Sequence, residues 1–352
     1  MNSINELFDK NRKGPPSICV EMSGNHQGNK ADALKFLKLA HLSGADFLKV
    51  QVYTPDTITF NSKLSDFRVQ AENEWSEYDN LYELYSKAHT PWDWIKEIFK
   101  ESKKIGIKTF ASPFDPTAVE FLEELDCPIY KIASPEITDI NLIRKCAKTG
   151  KPIILSTGLA SLDDIDEAVS VLKEENATFL ILKCVSAYPT ELSEINISTM
   201  NFLKNKYKCN VGLSDHTIGS HAAYAATALG ATLIEKHFKM PGDKSSVDAS
   251  FSMELSELPV FKSSLKSIYE AIGTPTLKLP KSAKISFSGR RSLYVVEKIS
   301  KGEKFTNKNV RSIRPCFGLH PRYLNSIIGK RALCDIKPGT RMEWSFLDNS
   351  IQ

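Results

Sequence analysis

The stretch "VGLSDHTIGSHAAYAATALGATLIEKHF", Val211 to Phe238, holds two short apolar runs, each finishing on a histidine. His216 closes the first and His237 the second, 21 residues later. Outward from this stretch the same alternation recurs. The runs "ICVEMS", "DFLKVQVY", "IKTFAS", "IYKIAS", "PIILST", "FLILKCVS", "NVGLSD" and "TLIEKHF" are rich in Val, Ile and Phe. Each is followed by a stretch with helical spacing, such as "ADALKFLKLAHLSG" or "LDDIDEAVSVLKEE". Eight βα units are the number that closes a parallel barrel, so residues 1–272 are expected to form a (β/α)8 TIM barrel. An open doubly wound sheet is the alternative, but no G-x-G-x-x-G follows the first strand.

Composition sets the frame. With 352 residues, 41% hydrophobic and 25% charged, the chain is long enough for one large domain and a small second one. No stretch approaches about 18 uncharged apolar residues, and the start, "MNSINELFDKNRKGPPS", lacks the apolar segment of a secretory signal. The expectation is a cytoplasmic protein that does not engage a membrane. Its seven cysteines are scattered, with no C-x-x-C pair, and read mostly as small buried hydrophobes rather than a disulfide framework or zinc ribbon. The net charge of +4 is unevenly spread: from Lys281 onward there are 15 basic and 5 acidic residues, leaving 31 basic and 37 acidic in the first 280. That shift marks a boundary. "GTPTLKLPKSAKISFSG", residues 273–289, reads as a linker, and residues 290–352, with short β runs between Gly and Pro turns, as a small β-rich domain.

Chemistry in such a barrel gathers where strands end. The endings are Glu21, Ser23, Asn25 and His26; Lys49 and Gln51; Ser112; Lys131, Ser134 and Glu136; Ser156 and Thr157; Lys183, Ser186 and Tyr188; Ser214, Asp215 and His216; Glu235, Lys236 and His237. Glu235 beside Lys236 reads as a structural ion pair. Lys49, Lys131 and Lys183 on separate strands read as cations converging on an anionic ligand, because burying several cations is costly unless an anion neutralises them. Ser112, Ser134, Ser186 and Ser214 add donors that phosphate and carboxylate oxygens accept. The long excursion after the second strand, Thr54 to Trp94, has the placement of a substrate lid.

A histidine at a strand end is, taken alone, more often a hydrogen-bonded core residue than a metal ligand. On adjacent strands His216 and His237 can face one ion, and no third protein ligand stands at matching spacing. Two imidazoles completed by water and substrate oxygens describe an open site for Mn²⁺, Mg²⁺ or a similar divalent ion acting as a Lewis acid.

The motifs "EMSGNHQGN", "GADFLKVQVYTPDTIT", "FASPFD", "YKIAS", "KPIILSTGLAS", "CVSAYPT", "VGLSDHTIG", "IEKHF" and "RRSLYVV" resemble, in order, those of the sialic acid synthases, which condense phosphoenolpyruvate with an amino sugar. The resemblance runs from about Ser17 to Phe346. Within that family "SGNH", "VYTPDTIT", "AHTPWDW" and "RPCFGLHP" are most similar to the pseudaminic acid synthases, which act on 2,4-diacetamido-2,4,6-trideoxy-altrose. The N-acetylneuraminate and legionaminic acid branches are the alternatives.

The resemblance implies that Lys49, Ser112, Lys131, Ser134, Ser186 and Ser214 hold phosphoenolpyruvate, and that His216 and His237 are metal ligands. It places Glu21 and Gln51 by the reacting carbons, and Glu136, Tyr188 and Asp248 against the sugar. Two positions depart from the family: Ser186 stands where N-acetylneuraminate synthases have Asn, and Pro135 replaces a residue that is commonly Gly or Phe. The basic tail corresponds to the family's antifreeze-like (SAF) domain, which packs over the barrel of a second subunit in a swapped homodimer. Arg314 then matches an arginine that reaches the partner's sugar. Attraction between a +10 tail and a −6 barrel fits such docking. Two rival functions stand beside the synthase. One is a Schiff-base aldolase using Lys131 or Lys183, and the other a sugar- or nucleic-acid-binding protein on an inactive barrel.

Overall fold

The computed structural model describes residues 4–70 and 74–348. Eight parallel strands follow one another around a ring: β1 (Ser17–Glu21), β2 (Phe47–Val52), β3 (Lys108–Pro113), β4 (Tyr130–Ile132), β5 (Ile153–Ser156), β6 (Phe179–Cys184), β7 (Asn210–Asp215) and β8 (Leu233–Lys239). β1 pairs with β8, Glu21 opposite His237, which closes the ring. A two-residue strand, β9 (Met253–Glu254), lies parallel to the end of β8. The principal helices after the strands are Lys30–Leu42, Trp92–Ile105, Pro116–Glu124, Ile140–Lys148, Leu162–Glu174, Thr199–Tyr207, His221–Ala228 and Leu258–Ile272. This is the expected (β/α)8 barrel.

Sequence chemistry explains the joints. Asp115 precedes Pro116 and accepts from the N–H groups of Thr117 and Ala118, so one helix starts with its free donors partly satisfied. Ser161 and Asp164 cap another reciprocally. Strands covered on both faces are almost wholly buried, and every residue of β7 is.

Gly212 in β7 is required by close backbone approach: a Cβ there would stand 2.2 Å from the Leu233 carbonyl oxygen and 2.7 Å from Leu182 Cδ2. The carbonyl belongs to the neighbouring strand and cannot swing aside. Gly212→Ala is therefore expected to lower unfolding free energy by about 3 kcal/mol, the upper range for overpacking. Denaturant unfolding checks this, and an unchanged midpoint would contradict it.

The excursion after β2 differs from the expectation in two ways. Helix Trp92–Ile105 begins inside the segment assigned to it, and the remainder carries short helices at Pro55–Ile58 and Leu81–Ala88 and 3-10 turns at Ser65–Phe67 and Glu74–Glu77. Part of it is tied down by aromatic packing, Tyr53 lying 5.7 Å from Tyr85 and 5.2 Å from Phe114 between ring centroids. Residues 71–73 of the excursion lie outside the described residues. Among those described, no helix is long and apolar enough to cross a membrane.

The chain divides into two units, Met1–Gly273 and Thr274–Gln352. In the second, β10 (Ser292–Val295) and β11 (Val310–Ile313) pair antiparallel, and isolated bridges join Tyr294 to Arg341 and Ile299 to Ile336. Its own core gathers Leu293, Val295, Phe305, Val310, Ile327 and Met342. Such a small core is marginal by itself. The segment read as a linker contains two 3-10 turns, Lys281–Ala283 and Ile285–Gly289.

Candidate active site

Alternation along each strand decides what enters the barrel mouth. Glu21, Lys49, Ser112, Lys131, Ser214 and Glu235 all point inward and form one buried network. Lys49 Nζ lies 2.7 Å from Glu21 Oε2 and 3.5 Å from Glu235 Oε1, while Lys131 Nζ donates to Glu235 Oε1 at 3.0 Å. Ser214 Oγ donates to the same oxygen at 3.1 Å, and Lys49 Nζ to Ser112 Oγ at 3.4 Å. Gln51 Nε2 donates to Glu21 Oε1 at 3.1 Å and to Ser23 Oγ at 3.0 Å, which fixes the Glu21 carboxylate. Burial works against a charge on Glu235, but Lys131 and Lys49 overcome it and hold its carboxyl at about 2.

Three expectations change here. Glu235 does not pair with Lys236: consecutive strand residues face opposite sides, and Lys236 turns outward to Asp215 Oδ2 at 2.9 Å and the Thr217 carbonyl at 2.6 Å. Lys183 is absent from the network for the same reason: its Nζ donates to the backbone of Cys184 at 2.8 Å. Finally, Lys49 and Lys131 are neutralised by Glu21 and Glu235, so the lysines do not by themselves require an anionic ligand. What they retain is donor capacity, since each ammonium has three N–H groups.

Above this layer stand the two histidines. Their ring centroids are 5.3 Å apart, and both residues are buried. His216 Nδ1 lies 2.9 Å from the Val185 carbonyl, which only accepts, so Nδ1 carries hydrogen and the neutral ring's lone pair is on Nε2. His237 Nδ1 is buried without a hydrogen bond, 3.5 Å from Asp248 Oδ2. Asp248, expected against the sugar, is buried and also accepts from the Gly24 N–H at 3.4 Å. Among the described residues no group of three His, Cys, Asp or Glu is arranged to hold a metal. The donors present thus fit a divalent ion only as an open site, with two imidazoles from the protein and the remaining positions for water and substrate.

On the other wall, Ser134 Oγ accepts from the Gly158 N–H at 2.9 Å, and Ser186 Oγ lies 3.9 Å from Cys184 Sγ. A Cβ on Gly158 would meet Ser186 Oγ at 2.3 Å, Ser134 Oγ at 2.8 Å and Cys184 Sγ at 2.9 Å, so these groups crowd one point. Cys184, one of seven cysteines read from sequence mostly as small buried hydrophobes, contacts His216 Nδ1 at 3.7 Å. Burial alone would raise its thiol, but His216, Ser134 and Lys131 outweigh that and bring it to about 7. Its inward parity with Ser186 and Tyr188 was the available signal. Tyr188 packs 4.4 Å from His216.

Glu136 follows β4 in a 3-10 turn, with Oε2 buried and without a partner. Burial raises its carboxyl from the ordinary 4.5 to about 7, despite opposing pulls that include Lys131 and Lys49. The folded state therefore favours the protonated acid, an advantage complete below pH 4.5 and lost as pH rises through 7. The shift corresponds to about 3 kcal/mol. Glu136→Gln is expected to remove this loss, so that stability measured by denaturation falls less between pH 5 and 8 than in the unaltered chain. Parallel stability curves would contradict the assignment.

Arg314 lies in the second unit, where Ser286, Ser288, Gly289, Arg290 and Arg291 join it around an open cavity of about 720 Å³. A cavity of about 630 Å³ in the barrel lies at the strand starts, beside Asp46, Lys108 and Lys262, away from the mouth. Lys262 there is already paired with Asp46 at 2.8 Å. Convergent polar groups, rather than cavity size, identify the site.

Comparison with known proteins matches residues 36–276 to the NeuB family and residues 290–347 to the SAF domain. The chain belongs to the NeuB family. It is 40% identical to the pseudaminic acid synthase of Helicobacter pylori, over 96% of this chain and 99% of that one. It is 41% identical to the pseudaminic acid synthase of Campylobacter jejuni strain 81-176, covering 93% and 95%. Among solved structures, the N-acetylneuraminic acid synthetase of Leptospira borgpetersenii in complex with citrate matches with a TM-score of 0.68 and 30% identity, over 78% of this chain and 90% of that one. The NeuB-family barrel and the C-terminal SAF domain are thus the architecture expected from the sequence.

Proposed function

We propose that this NeuB-family chain is a pseudaminic acid synthase. It joins C3 of phosphoenolpyruvate to the aldehyde carbon of open-chain 2,4-diacetamido-2,4,6-trideoxy-altrose, consumes one water and releases phosphate. The observation that carries the reading is near-full-length identity of 40% and 41% to two pseudaminic acid synthases. The mouth supports it with lysines, hydroxyls and a fixed carboxylate in one place.

In this reading Lys49 and Lys131, with Ser112, Ser134, Ser186 and Ser214, bind the phosphate and carboxylate of phosphoenolpyruvate. His216 and His237 hold a divalent ion such as Mn²⁺ or Mg²⁺, which when bound supplies Lewis-acid polarisation of the sugar aldehyde. As C3 bonds to the aldehyde carbon, C2 of phosphoenolpyruvate becomes cationic, and Glu21, held by Gln51 and Lys49, stabilises it. Glu21 then takes a proton from the water that attacks C2. Cleavage of the C–O bond expels phosphate, which takes the proton of the C2 hydroxyl as C2 becomes the ketone, and the proton held by Glu21 passes to the oxygen of the former aldehyde. Glu136 and Tyr188 flank the sugar.

The test is phosphate release from phosphoenolpyruvate with a panel of 2,4-diacetamido and 2-acetamido hexoses, before and after chelation. Release with the trideoxy-altrose, lost on chelation and restored by metal, is expected. No release with that sugar overturns the substrate, and release insensitive to chelation overturns the metal. Borohydride trapping of an adduct on Lys131 would favour the aldolase instead.

A swapped homodimer, with Arg314 serving the partner's mouth, is part of the proposal. A mixture of Arg314→Ala and His216→Ala chains is expected to recover activity well above the sum of the two, because one mouth of a mixed dimer has both residues intact. No recovery despite demonstrated subunit exchange rejects the arrangement.

A further inference from the structure

Three aromatic rings from three distant parts of the barrel unit meet beside the histidines. Trp75 comes from the excursion after β2, Tyr188 from the loop after β6, and Phe251 from the segment between β8 and β9. Ring centroids are 5.2 Å apart for Trp75 and Tyr188, 6.3 Å for Trp75 and Phe251, and 5.3 Å for Tyr188 and Phe251. Tyr188 reaches His216 at 4.4 Å and Phe251 reaches His237 at 5.1 Å. The cluster therefore runs continuously from the two imidazoles outward, with Trp75 one ring farther from them. The indole N–H of Trp75 donates to the Val247 carbonyl at 2.9 Å, which fixes the ring's edge. Trp75 itself is only partly buried, whereas Phe251 is 3% exposed.

We propose that Trp75, backed by Tyr188 and Phe251, forms an aromatic wall that selects the apolar end of the sugar. The inference rests on the activity proposed above. If the aldehyde end lies at the histidines, the far end of the open chain, bearing the C4 acetamido and the C6 methyl, extends toward Trp75. The C6 methyl and the methyl of the C4 acetamido lose water favourably against indole and phenyl faces, whereas a hydroxyl at C6 would be left unpaired there. The wall is thus a specificity determinant for 4-acetamido-6-deoxy sugars, and Trp75 is its part with no polar group in the reacting layer.

The experiment compares the unaltered enzyme, Trp75→Ala and Trp75→Phe by phosphate release, using the trideoxy-altrose substrate and N-acetylmannosamine. Trp75→Ala is expected to lower kcat/KM for the trideoxy sugar by about 10- to 100-fold, the range for lost apolar contacts in a specificity pocket. N-acetylmannosamine should change by less than about threefold, so the preference narrows. The KM for phosphoenolpyruvate should stay within about twofold, and Trp75→Phe should recover most of the loss, because a phenyl face replaces the indole. An unchanged preference in Trp75→Ala, or a parallel rise in the KM of phosphoenolpyruvate, overturns the wall. Absence of turnover by the unaltered enzyme instead overturns the proposed activity and the inference with it, so the two failures are distinct.

Discussion

Replacing His216 or His237 by alanine is expected to reduce phosphate release at least about a thousandfold, since the Lewis-acid contribution of a divalent ion amounts to several kcal/mol and each 1.36 kcal/mol is tenfold. Each change deletes one of the two imidazoles that face each other at 5.3 Å, and among the described residues no third protein ligand stands ready to compensate. Metal affinity measured by calorimetry should fall in parallel, which separates a lost ligand from a lost general base. The fold should persist: His237 gives up only the 3.5 Å approach of its Nδ1 to Asp248, and His216 its contacts with the Val185 carbonyl and Cys184, all at the rim of the barrel. Near-normal turnover by either variant after chelation would reject the paired-ligand reading.

The largest effect on stability is expected at Glu235. Glu235→Ala removes the carboxylate to which Lys131 donates and which Lys49 approaches, leaving buried ammonium charge without its partner. Breaking a buried pair in this way costs about 3–5 kcal/mol. In the intact protein the carboxyl sits at about 2 instead of 4.5, so its stabilisation is complete above pH 4.5 and lost as pH falls toward 2. The double change Lys131→Met with Glu235→Leu should recover most of the stability, because Lys49 keeps Glu21 and two apolar side chains replace an ion pair. It should remain inactive, because a lysine to which the proposed function assigns phosphate binding is gone. Denaturant midpoints for the single and double variants, with phosphate release alongside, check both halves. A double variant as unstable as the single one would mean that the pair's geometry, rather than unpaired charge, sets the cost.

Much of the barrel was legible because its signals are local. Eight apolar runs separated by helix-spaced stretches dictate a parallel sheet, and strand endings mark where chemistry collects. His216 and His237 were found this way, as were Glu21, Lys49, Lys131 and Ser214. Parity within a strand was equally available, and applying it would have separated Glu235 from Lys236 and turned Lys183 away from the mouth.

What the sequence by itself determined was therefore the (β/α)8 barrel with its β-rich C-terminal domain, and the set of side chains near one rim, since periodicities of 2 and 3.6 are properties of short segments. Only the tertiary structure decided their partners. Closure of β1 on β8 puts Glu21 opposite His237 and sets Glu235 against Lys49 and Lys131, residues remote in the chain. Trp75 had no sequence signal at all: its segment lacks the periodicity of strand or helix, and only the folding of the excursion over the mouth brings it to Tyr188 and Phe251. Contacts of that range depend on ring closure and loop path, which no local pattern encodes.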